Sequence, residues 1–202
     1  MLLGAGYDSR TYRFSSQLRS VRAFEVDHPA TQMKKRRILD RTFKDSPPVI
    51  AYVPVDFNRD SLEAALLDRG LSRQKKTLFL WEGVSYYLPE SVVRRLLMFV
   101  SGFSGGSSIL FDYAIKDFVD GNHGTFGGRQ VARWLHKIKE PFLFGMHPGE
   151  AGDFLSSCGL ELVSDLGPEE LENLYLTTKS GGSLGRMLGH IRMAHAKAGP
   201  PS

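Results

Sequence analysis

The chain has 202 residues, of which 42% are hydrophobic and 24% charged, a composition typical of one well-packed globular domain. The lone cysteine, Cys158, excludes an intramolecular disulfide and argues against a cysteine-based zinc site, as expected in a reducing compartment. No apolar run approaches the roughly 18 residues that cross a bilayer. The composition therefore predicts a cytoplasmic protein with no membrane partner.

The net charge of +4 raises the question of nucleic-acid binding. The densest basic run is Lys34-Lys35-Arg36-Arg37, with Arg41 and Lys44 after it. Such a run can bind phosphates, or it can be the solvated face of a helix that covers a sheet. Because no basic stretch is interleaved with aromatic residues, the second interpretation is favoured and no nucleic-acid partner is expected.

Short apolar, β-branched runs alternate with amphipathic stretches, which predicts an α/β fold with a mainly parallel sheet. Residues 115–146 interrupt the alternation and are predicted to be an insertion, within one domain spanning 1–202, that shapes a substrate pocket. The tail from Ala196 is expected to fray. Strands are predicted at Met1–Gly4, Val21–Val26, Val49–Val53, Thr77–Trp81, Ser107–Tyr113, Leu160–Asp165 and Leu188–His195. Helices are predicted at Pro29–Leu39, Ser61–Arg69, Pro89–Gly102, Gly128–Lys139 and Gly149–Ser157.

A glycine turn, Gly4-Ala5-Gly6, follows the first predicted strand and precedes a turn into a helix. Glycine allows the backbone to approach a ligand closely, although the same turn can be a purely structural bend. A dinucleotide site requires a third glycine where Ser9 stands, so a pyrophosphate cradle is disfavoured. S-adenosylmethionine has no phosphate, and a site for it needs only the turn.

The second predicted strand ends in acids, Glu25 and Asp27, about 20 residues after the glycines, a spacing typical of a ribose-binding carboxylate. The two side chains point to the same face of the strand, so either can accept hydrogen bonds from the ribose hydroxyls. The structural alternative is that Asp27 caps the helix that begins at Pro29.

The third predicted strand is followed by Asp56 and Phe57. The carboxylate can accept a hydrogen bond from an adenine amine, and the ring can cover the base. The alternative is a capped turn in which Asp60 or Ser61 begins the next helix.

The fourth predicted strand leads into Glu82, at the sheet edge where open α/β folds bind ligands. A carboxylate there can neutralise a cationic group of a ligand, such as the sulfonium or the ammonium of S-adenosylmethionine. Tyr86 and Tyr87 either line a methyl-transfer channel or fill the core. Among the six histidines, His123 and His147 flank the predicted pocket. With Tyr86, they are the weak candidates for a catalytic base. The alternative is that each is a surface residue without a catalytic role, as most loop histidines are. No histidine spacing predicts a metal site.

Four motifs occur in one order along the chain: L-G-A-G-Y-D-S-R-T-Y-R, F-E-V-D-H-P, V-D-F and E-G-V-S-Y-Y-L-P. Together they resemble the leucine carboxyl methyltransferase family and its bacterial S-adenosylmethionine-dependent relatives. The resemblance implies a class I methyltransferase fold: a Rossmann-like, mostly parallel sheet of seven strands with helices on both faces and an antiparallel last strand. It also implies S-adenosylmethionine as the cofactor. The implied cofactor contacts are Gly4 in the glycine turn with Gly6, Asp27, Asp56, Phe57 and Glu82, with Glu25 as a second choice for the ribose.

These observations predict an O-methyltransferase that acts on a small-molecule carboxylate or hydroxyl. Methyl transfer from a sulfonium needs alignment and exclusion of water rather than a nucleophilic residue, and a hydroxyl acceptor benefits from a base. One alternative is a nicotinamide-dependent oxidoreductase, against which Ser9 argues. Another is a silent binding module that keeps the fold, because the helical segment and arginine that precede the glycine turn in the family have no counterpart before Met1.

Overall fold

The computed structural model describes residues 1–42 and 50–199, and the elements within these ranges form one α/β sheet structure. The strands are β1 (Leu2–Leu3), β2 (Ala23–Asp27), β3 (Ile50–Pro54), β4 (Leu78–Trp81), β5 (Ser108–Ile115), β6 (Gly145–Met146), β7 (Leu160–Leu166) and β8 (Ile191–Ala198). The helices are α1 (Arg10–Arg13), α2 (Pro29–Thr42), α3 (Leu62–Leu67), α4 (Glu90–Ser101), α5 (Lys116–Val119), α6 (Gly128–Ile138), α7 (Ala151–Ser157) and α8 (Pro168–Tyr175), with a 3₁₀ turn at Ser85–Tyr87.

The strand order across the sheet is β3-β2-β1-β4-β5-β8-β7, with β6 paired to the end of β5. The first five strands of this order are parallel, and β8 runs antiparallel to both β5 and β7. The first strand of the chain is therefore central, and the strand order reverses beside it, between β1 and β4. This confirms the implied fold class, including the antiparallel last strand.

Helices cover both faces of the sheet, as the side chains of β2 show. Phe24 and Val26 point into the core cluster that includes residues of α3 and α4. Glu25 points to the opposite face, where it contacts Thr11 of α1 and Lys35 of α2.

The apolar residues of α4 recur at helical spacing, and the side chains that this spacing predicts to be buried are buried. Its apolar residues at helical spacing are at most 6% exposed, and Pro89 and Gly102 flank the helix as caps. Burial of each such side chain contributes about 1.5 to 3 kcal/mol to folding. The buried residues are Val92, Val93, Leu96, Leu97 and Val100.

Several predicted boundaries need correction. The last strand begins three residues late, at Ile191, because the Gly189 N–H donates to the Phe126 carbonyl at 3.0 Å and holds residues 188–190 in a loop. It also continues to Ala198 instead of fraying from Ala196, since residues 196–198 pair with β5 and β7. The short strand β6 makes eight described strands where seven were predicted, and the helices α5 and α8 were not predicted.

The basic run on α2 is mostly a solvated face, because Lys34, Arg36 and Arg37 are exposed. Lys35 is the exception, since it is 4% exposed and its side chain lies between α2 and the sheet, against Glu25. Lys44 and the predicted strand start at Val49 lie outside the described residues.

Candidate functional site

A cleft opens at the carboxyl edge of the sheet, between the ends of β1 and β4. Open α/β sheets bind ligands at such a switch point, because the loops after the two strands diverge and leave a crevice. The cleft has a volume of about 320 Å³, and its walls are formed by residues 2–8, Arg10, Leu80 and residues 82–84. This volume lies within the range of small-molecule sites.

The glycine turn after β1 has a backbone conformation that side chains rarely adopt, since φ is +68° at Gly4 and +42° at Gly6. A Cβ on Gly4 would lie 2.3 Å from Cγ2 of Val84 in the loop after β4. The turn is tied to β2, because the Ala5 N–H donates to the Val26 carbonyl at 2.9 Å. Gly4 is thus required both for its φ angle and for the close approach of the two loops.

Asp27 lies at the tip of β2, beside the glycine turn. One carboxylate oxygen accepts a hydrogen bond from the Gly6 N–H, and the other accepts from the His28 N–H at 2.6 Å. The structure argues against the capping alternative, because the N–H of Ala30 in the first turn of α2 donates to His28 Nδ1 instead. Asp27 is fixed at the cleft rim while its side chain stays partly exposed.

Glu25, the second choice for the ribose, is buried in the interior and only 1% exposed. Its carboxylate accepts hydrogen bonds from Lys35 Nζ at 2.7 Å and from the Thr11 hydroxyl. Although Glu25 and Asp27 share a face, α1 and α2 cover the sheet at Glu25 and leave it open at Asp27. The buried ion pair therefore argues against Glu25 as a ribose ligand.

The motif after β3 forms a closed turn. The Asp56 carboxylate accepts from the Asn58 N–H at 3.0 Å, and the Asp56 N–H donates to the Asp60 carboxylate at 2.8 Å. The Phe57 ring is 9% exposed and belongs to the core, and Ser61 caps α3. The turn has the geometry of the structural alternative, and neither Asp56 nor Phe57 is part of the cleft walls.

Arg10, which the sequence analysis left without a role, lies in the cleft wall. Its guanidinium donates through Nε to Asp8 at 2.7 Å and through Nη2 to Glu82. Glu82 is therefore in the cleft, as predicted, but it is paired to an arginine that is distant in sequence. In the motif Tyr7-Asp8-Ser9-Arg10, the arginine follows the acid Asp8 by two residues and begins the helix α1. This spacing is the feature of the sequence that could have indicated a role for Arg10.

The charges in the cleft wall perturb one another. Burial alone would raise the pKa of the Asp8 carboxyl, but the hydrogen bonds and the charge of Arg10 outweigh burial and hold this pKa below its usual value. The hydrogen bond to Asp8 and then that to Glu82 raise the pKa of the Arg10 guanidinium, against the effect of burial. The wall thus presents one guanidinium between two carboxylates.

Asp112 on β5 is a buried carboxylate that the sequence analysis also missed, because it stands within an apolar strand. It is 9% exposed, and its oxygens accept from the Gly83 N–H at 2.9 and 3.1 Å. Burial raises its pKa to about 6; the Gly83 hydrogen bond opposes this shift and the charge of Glu82 adds to it. Asp112 therefore holds the loop that carries Glu82.

We expect the substitution Asp112→Asn to stabilise the fold above pH 6. The folded pKa of about 6 exceeds the ordinary value of 3.8, so between these values the folded chain holds a proton that the unfolded chain has released. Stability then falls as pH rises from about 4 to about 6 and stays lower above that, by roughly 3 kcal/mol. Asparagine keeps an oxygen for the Gly83 N–H. Urea unfolding from pH 4 to pH 8 measures the effect, and a variant that tracks the wild type at every pH contradicts it.

The predicted insertion packs against the loop after β4 through aromatic rings. The Tyr86 and Phe142 ring centroids lie 4.2 Å apart, and those of Phe142 and Phe118 lie 5.5 Å apart. A Cβ on Gly83 would lie 3.9 Å from the Tyr86 hydroxyl oxygen, so Tyr86 stands between the cleft wall and the insertion. Beyond it lies a cavity of about 570 Å³, which we call the insertion cavity. It is lined by Phe118, Val119, His123, Ala132, Leu135, His136, Lys139, Pro141 and Phe142.

The three candidate bases differ in their placement. The Tyr86 ring packs on Phe142, which lines the insertion cavity. Burial, with the nearby charge of Asp112, raises the pKa of the Tyr86 hydroxyl, so that it is a hydrogen-bond donor near neutral pH. His123 lines the insertion cavity. His147 lies at the surface, with Nδ1 3.2 Å from an oxygen of the half-exposed Asp117.

His190 is fully buried behind the insertion cavity, where its ring stacks on Phe118 at 4.0 Å. Burial lowers its pKa to about 4, with His123 acting in the same direction, so the ring is neutral near pH 7. Its Nε2 has no hydrogen-bond partner among the described residues. Position in the sequence did not distinguish His190 from the other histidines.

Metal-binding clusters and membrane-spanning helices are both absent from the described ranges. Residues 1–42 and 50–199 contain no cluster of three histidine, cysteine or acidic side chains placed to hold a metal ion. Within the same ranges no helix combines the length and the apolarity that crossing a membrane demands.

The fold and the cleft at its switch point define the class I methyltransferase architecture. Mitomycin 7-O-methyltransferase MmcR has a similar structure, with a TM-score of 0.59 and 14% identity, over 98% of this chain and 48% of that one. Human N-acetylserotonin methyltransferase, solved in complex with S-adenosylmethionine, gives a TM-score of 0.53 and 14% identity, over 98% and 46% of the two chains. At this level of identity the likeness shows the fold alone.

The sequence profile of the leucine carboxyl methyltransferase family matches residues 1–101. This chain belongs to that family, as the four motifs indicated. A relative in Bacillus subtilis (strain 168), provisionally named S-adenosyl-L-methionine-dependent methyltransferase YktD, is 31% identical over 180 residues. That match covers 89% of this chain and 59% of the relative, so the chain spans about three fifths of its length.

Proposed function

We propose that this chain binds S-adenosylmethionine in the cleft and transfers its methyl group to a small-molecule carboxylate or hydroxyl. One observation carries the proposal: a glycine turn with no room for a side chain at Gly4 lies between Asp27 and the Arg10–Glu82 pair, at the switch point of the sheet. Membership of the family supports it. When bound, S-adenosylmethionine supplies a methyl group already activated by a sulfonium.

The residues of the cleft match the groups of this ligand. Gly4 and Gly6 give room for the backbone to approach it, and Asp27 stands where a ribose diol can donate to a carboxylate. Glu82 offers a carboxylate for the ammonium. Asp56 and Phe57 are not part of the cleft walls, so their proposed contact with adenine rests on the family resemblance.

The charges of the cleft wall complement those of S-adenosylmethionine. The wall has one positive and two negative side chains, Arg10 with Asp8 and Glu82. S-adenosylmethionine carries an ammonium, a sulfonium and a carboxylate, and so has one net positive charge to complement the wall. S-adenosylhomocysteine has lost the sulfonium charge, which favours release of the product.

We propose that the insertion, residues 115–146, forms the acceptor site. Phe142 lines the insertion cavity and packs on Tyr86, whose hydroxyl faces Gly83 of the cleft wall, so an acceptor there approaches the cofactor from the side of β4. The lining is largely apolar, which suits an acceptor with an apolar body. His123, which lines this cavity, is the candidate base for a hydroxyl acceptor.

Calorimetry with S-adenosylhomocysteine and with NADH tests the cofactor assignment. We expect the wild type to bind S-adenosylhomocysteine and not NADH, and Asp27→Asn to weaken binding at least tenfold, about 1.4 kcal/mol, because a charged acceptor of the ribose hydroxyls is lost. Asp40→Asn is the matched control, since Asp40 is an exposed acid of α2. Binding of NADH alone supports the oxidoreductase alternative, and absence of binding to either ligand supports the silent module.

The acceptor class is tested in the same preparation. Methyl-labelled S-adenosylmethionine is incubated with pools of apolar carboxylic acids and of phenols and alcohols, and the labelled products are treated with mild base. A base-labile product is an ester and identifies a carboxylate acceptor, whereas a stable one is an ether. Label in neither pool contradicts the small-molecule assignment.

A further inference from the structure

We infer that the insertion cavity selects acceptors that carry an anionic group besides the one that is methylated, and that Lys139 at the mouth of the cavity binds that anionic group. The inference rests on the proposed function, since it names the substrate class of the proposed acceptor site. The ligand it requires is an amphipathic anion whose body is aromatic or otherwise apolar.

The insertion cavity has an apolar floor and a polar mouth. Phe118 is 2% exposed and forms the floor, and the half-buried Phe142 forms the wall that packs on Tyr86. His136 and Lys139 line the same cavity but are exposed, so they lie at its mouth. A bound acceptor therefore places its apolar body against the rings and has a polar group near these two side chains.

The ionisable side chains of the lining are all basic. His123, His136 and Lys139 are the ionisable members, and the described residues that line the cavity include no acid. Lys139 takes part in none of the salt bridges among the described residues. The next residue, Glu140, is exposed, and its charge acts on Tyr87, whose pKa it helps burial to raise. An ammonium without an ion-pair partner at the mouth of an apolar cavity complements an anionic ligand.

The backbone of Lys139 is in the left-handed region that favours glycine. Its φ is +60°, and within residues 1–42 and 50–199 it is the one residue other than glycine with a positive φ. The conformation closes α6, because the Glu140 N–H donates to the Leu135 carbonyl at 3.2 Å and the Lys139 N–H to the His136 carbonyl at 3.3 Å. Glycine satisfies this helix end without strain, so the helix end does not account for a lysine, whereas the cavity mouth does.

The exposed face of α6 adds to the positive potential at the mouth. Residues 121–139 contain four lysines and arginines and no acid. All four are exposed, which makes this face attract anions, and Lys139 is the member that lines the cavity. The four residues are Arg129, Arg133, Lys137 and Lys139.

The anionic group at Lys139 differs from the group that is methylated. In the proposed function the methyl donor lies in the cleft, and the route from the cavity to the cleft runs from Phe142 to Tyr86 and Gly83. A group at the exposed Lys139 stays at the solvent end, while the reacting group points to the Phe142 wall. The acceptors that fit are therefore bifunctional, such as dicarboxylates and phenols or alcohols that bear a carboxylate.

The experiment compares two probes of nearly the same shape that differ in charge, biphenyl-4-carboxylate and biphenyl-4-carboxamide. Each is titrated into the full chain without cofactor and followed by the amide signals in ¹H–¹⁵N NMR spectra, where shifts at Phe118, Val119 and Phe142 locate binding in the cavity. We expect the wild type to bind the carboxylate at least about threefold tighter than the amide, and this preference to shrink as salt is added.

The decisive variant is Lys139→Gly, because it removes the ammonium and relieves the backbone strain. We expect its melting temperature to equal or exceed that of the wild type, its Kd for the carboxylate to rise about three- to tenfold, and its Kd for the amide to stay within twofold. Lys139→Arg keeps the cation and should bind the carboxylate within twofold of the wild type. Lys137→Ala is the matched control, since Lys137 is an exposed lysine of α6 outside the cavity lining, and should leave both affinities unchanged.

Three results overturn the inference: equal affinity of the wild type for the two probes, no shift at the cavity residues with either probe, or the same loss in Lys137→Ala as in Lys139→Gly. The methyl-transfer assay separates the inference from the proposed function. Label only in acceptors that lack a second anionic group overturns the inference and leaves the proposed function standing. Label in no acceptor contradicts the proposed function, whereas the probe affinities, measured without cofactor, still decide whether Lys139 binds an anion.

Discussion

The substitution Gly4→Ala is expected to abolish binding of S-adenosylhomocysteine, with a loss of more than about 100-fold. The added Cβ would lie 2.3 Å from Cγ2 of Val84, far inside the roughly 3.5 to 4.0 Å at which carbon atoms meet. The loops after β1 and β4 must separate by more than an ångström, which moves the turn away from the proposed cofactor position; a 100-fold loss corresponds to about 2.8 kcal/mol of binding free energy. The positive φ of +68° adds about 1 to 2 kcal/mol of backbone strain.

The matched control for this strain is Gly149→Ala. Gly149 has φ +93°, and a Cβ there meets no atom within 4 Å, so the control reproduces the unfavourable conformation without the clash. We expect it to lower the melting temperature slightly and to leave the affinity unchanged. Calorimetry of both variants, with circular dichroism to verify folding, makes the comparison. A Gly4→Ala protein that binds within tenfold of the wild type shows that the cofactor does not lie against the glycine turn.

The substitution Lys35→Met is expected to lower the free energy of unfolding by about 3 to 5 kcal/mol. Lys35 Nζ lies 2.7 Å from Glu25, and both side chains are 5% exposed or less. Methionine fills a similar volume but leaves the Glu25 carboxylate buried without its cation. For a chain of this length the change corresponds to a fall in melting temperature of roughly 6 to 20 °C.

A double variant, Glu25→Gln with Lys35→Met, should recover at least half of that loss, because it removes the buried charge along with its partner. Lys34→Met is the control on the neighbouring, exposed position of α2 and should change stability by less than about 0.5 kcal/mol. Urea unfolding of the three variants measures these differences. Equal stability of Lys35→Met and Lys34→Met means that the pair is open to water in solution.

The sequence determined the sheet and the position of the cleft. Apolar runs of strand length, each followed by glycine or an acid, are local patterns, and parallel strands carry whatever follows them to one edge of the sheet. Gly4, Asp27 and Glu82 could therefore be placed together without coordinates. The helical spacing of the apolar residues in α4 is also a local pattern, and the face that it predicts to be apolar is the buried one.

Which charged side chains form contacts depends on the tertiary structure, because no local sequence pattern encodes a contact between residues that are far apart in the chain. Arg10 and Glu82 are 72 positions apart in the chain, and Asp112 and Gly83 are 29 apart. The strand period gave Glu25 and Asp27 the same face, yet only packing shows that α1 and α2 bury the first and leave the second at the rim. The sequence thus located the cleft through periodicity, whereas the charges that define its chemistry depend on how distant segments pack.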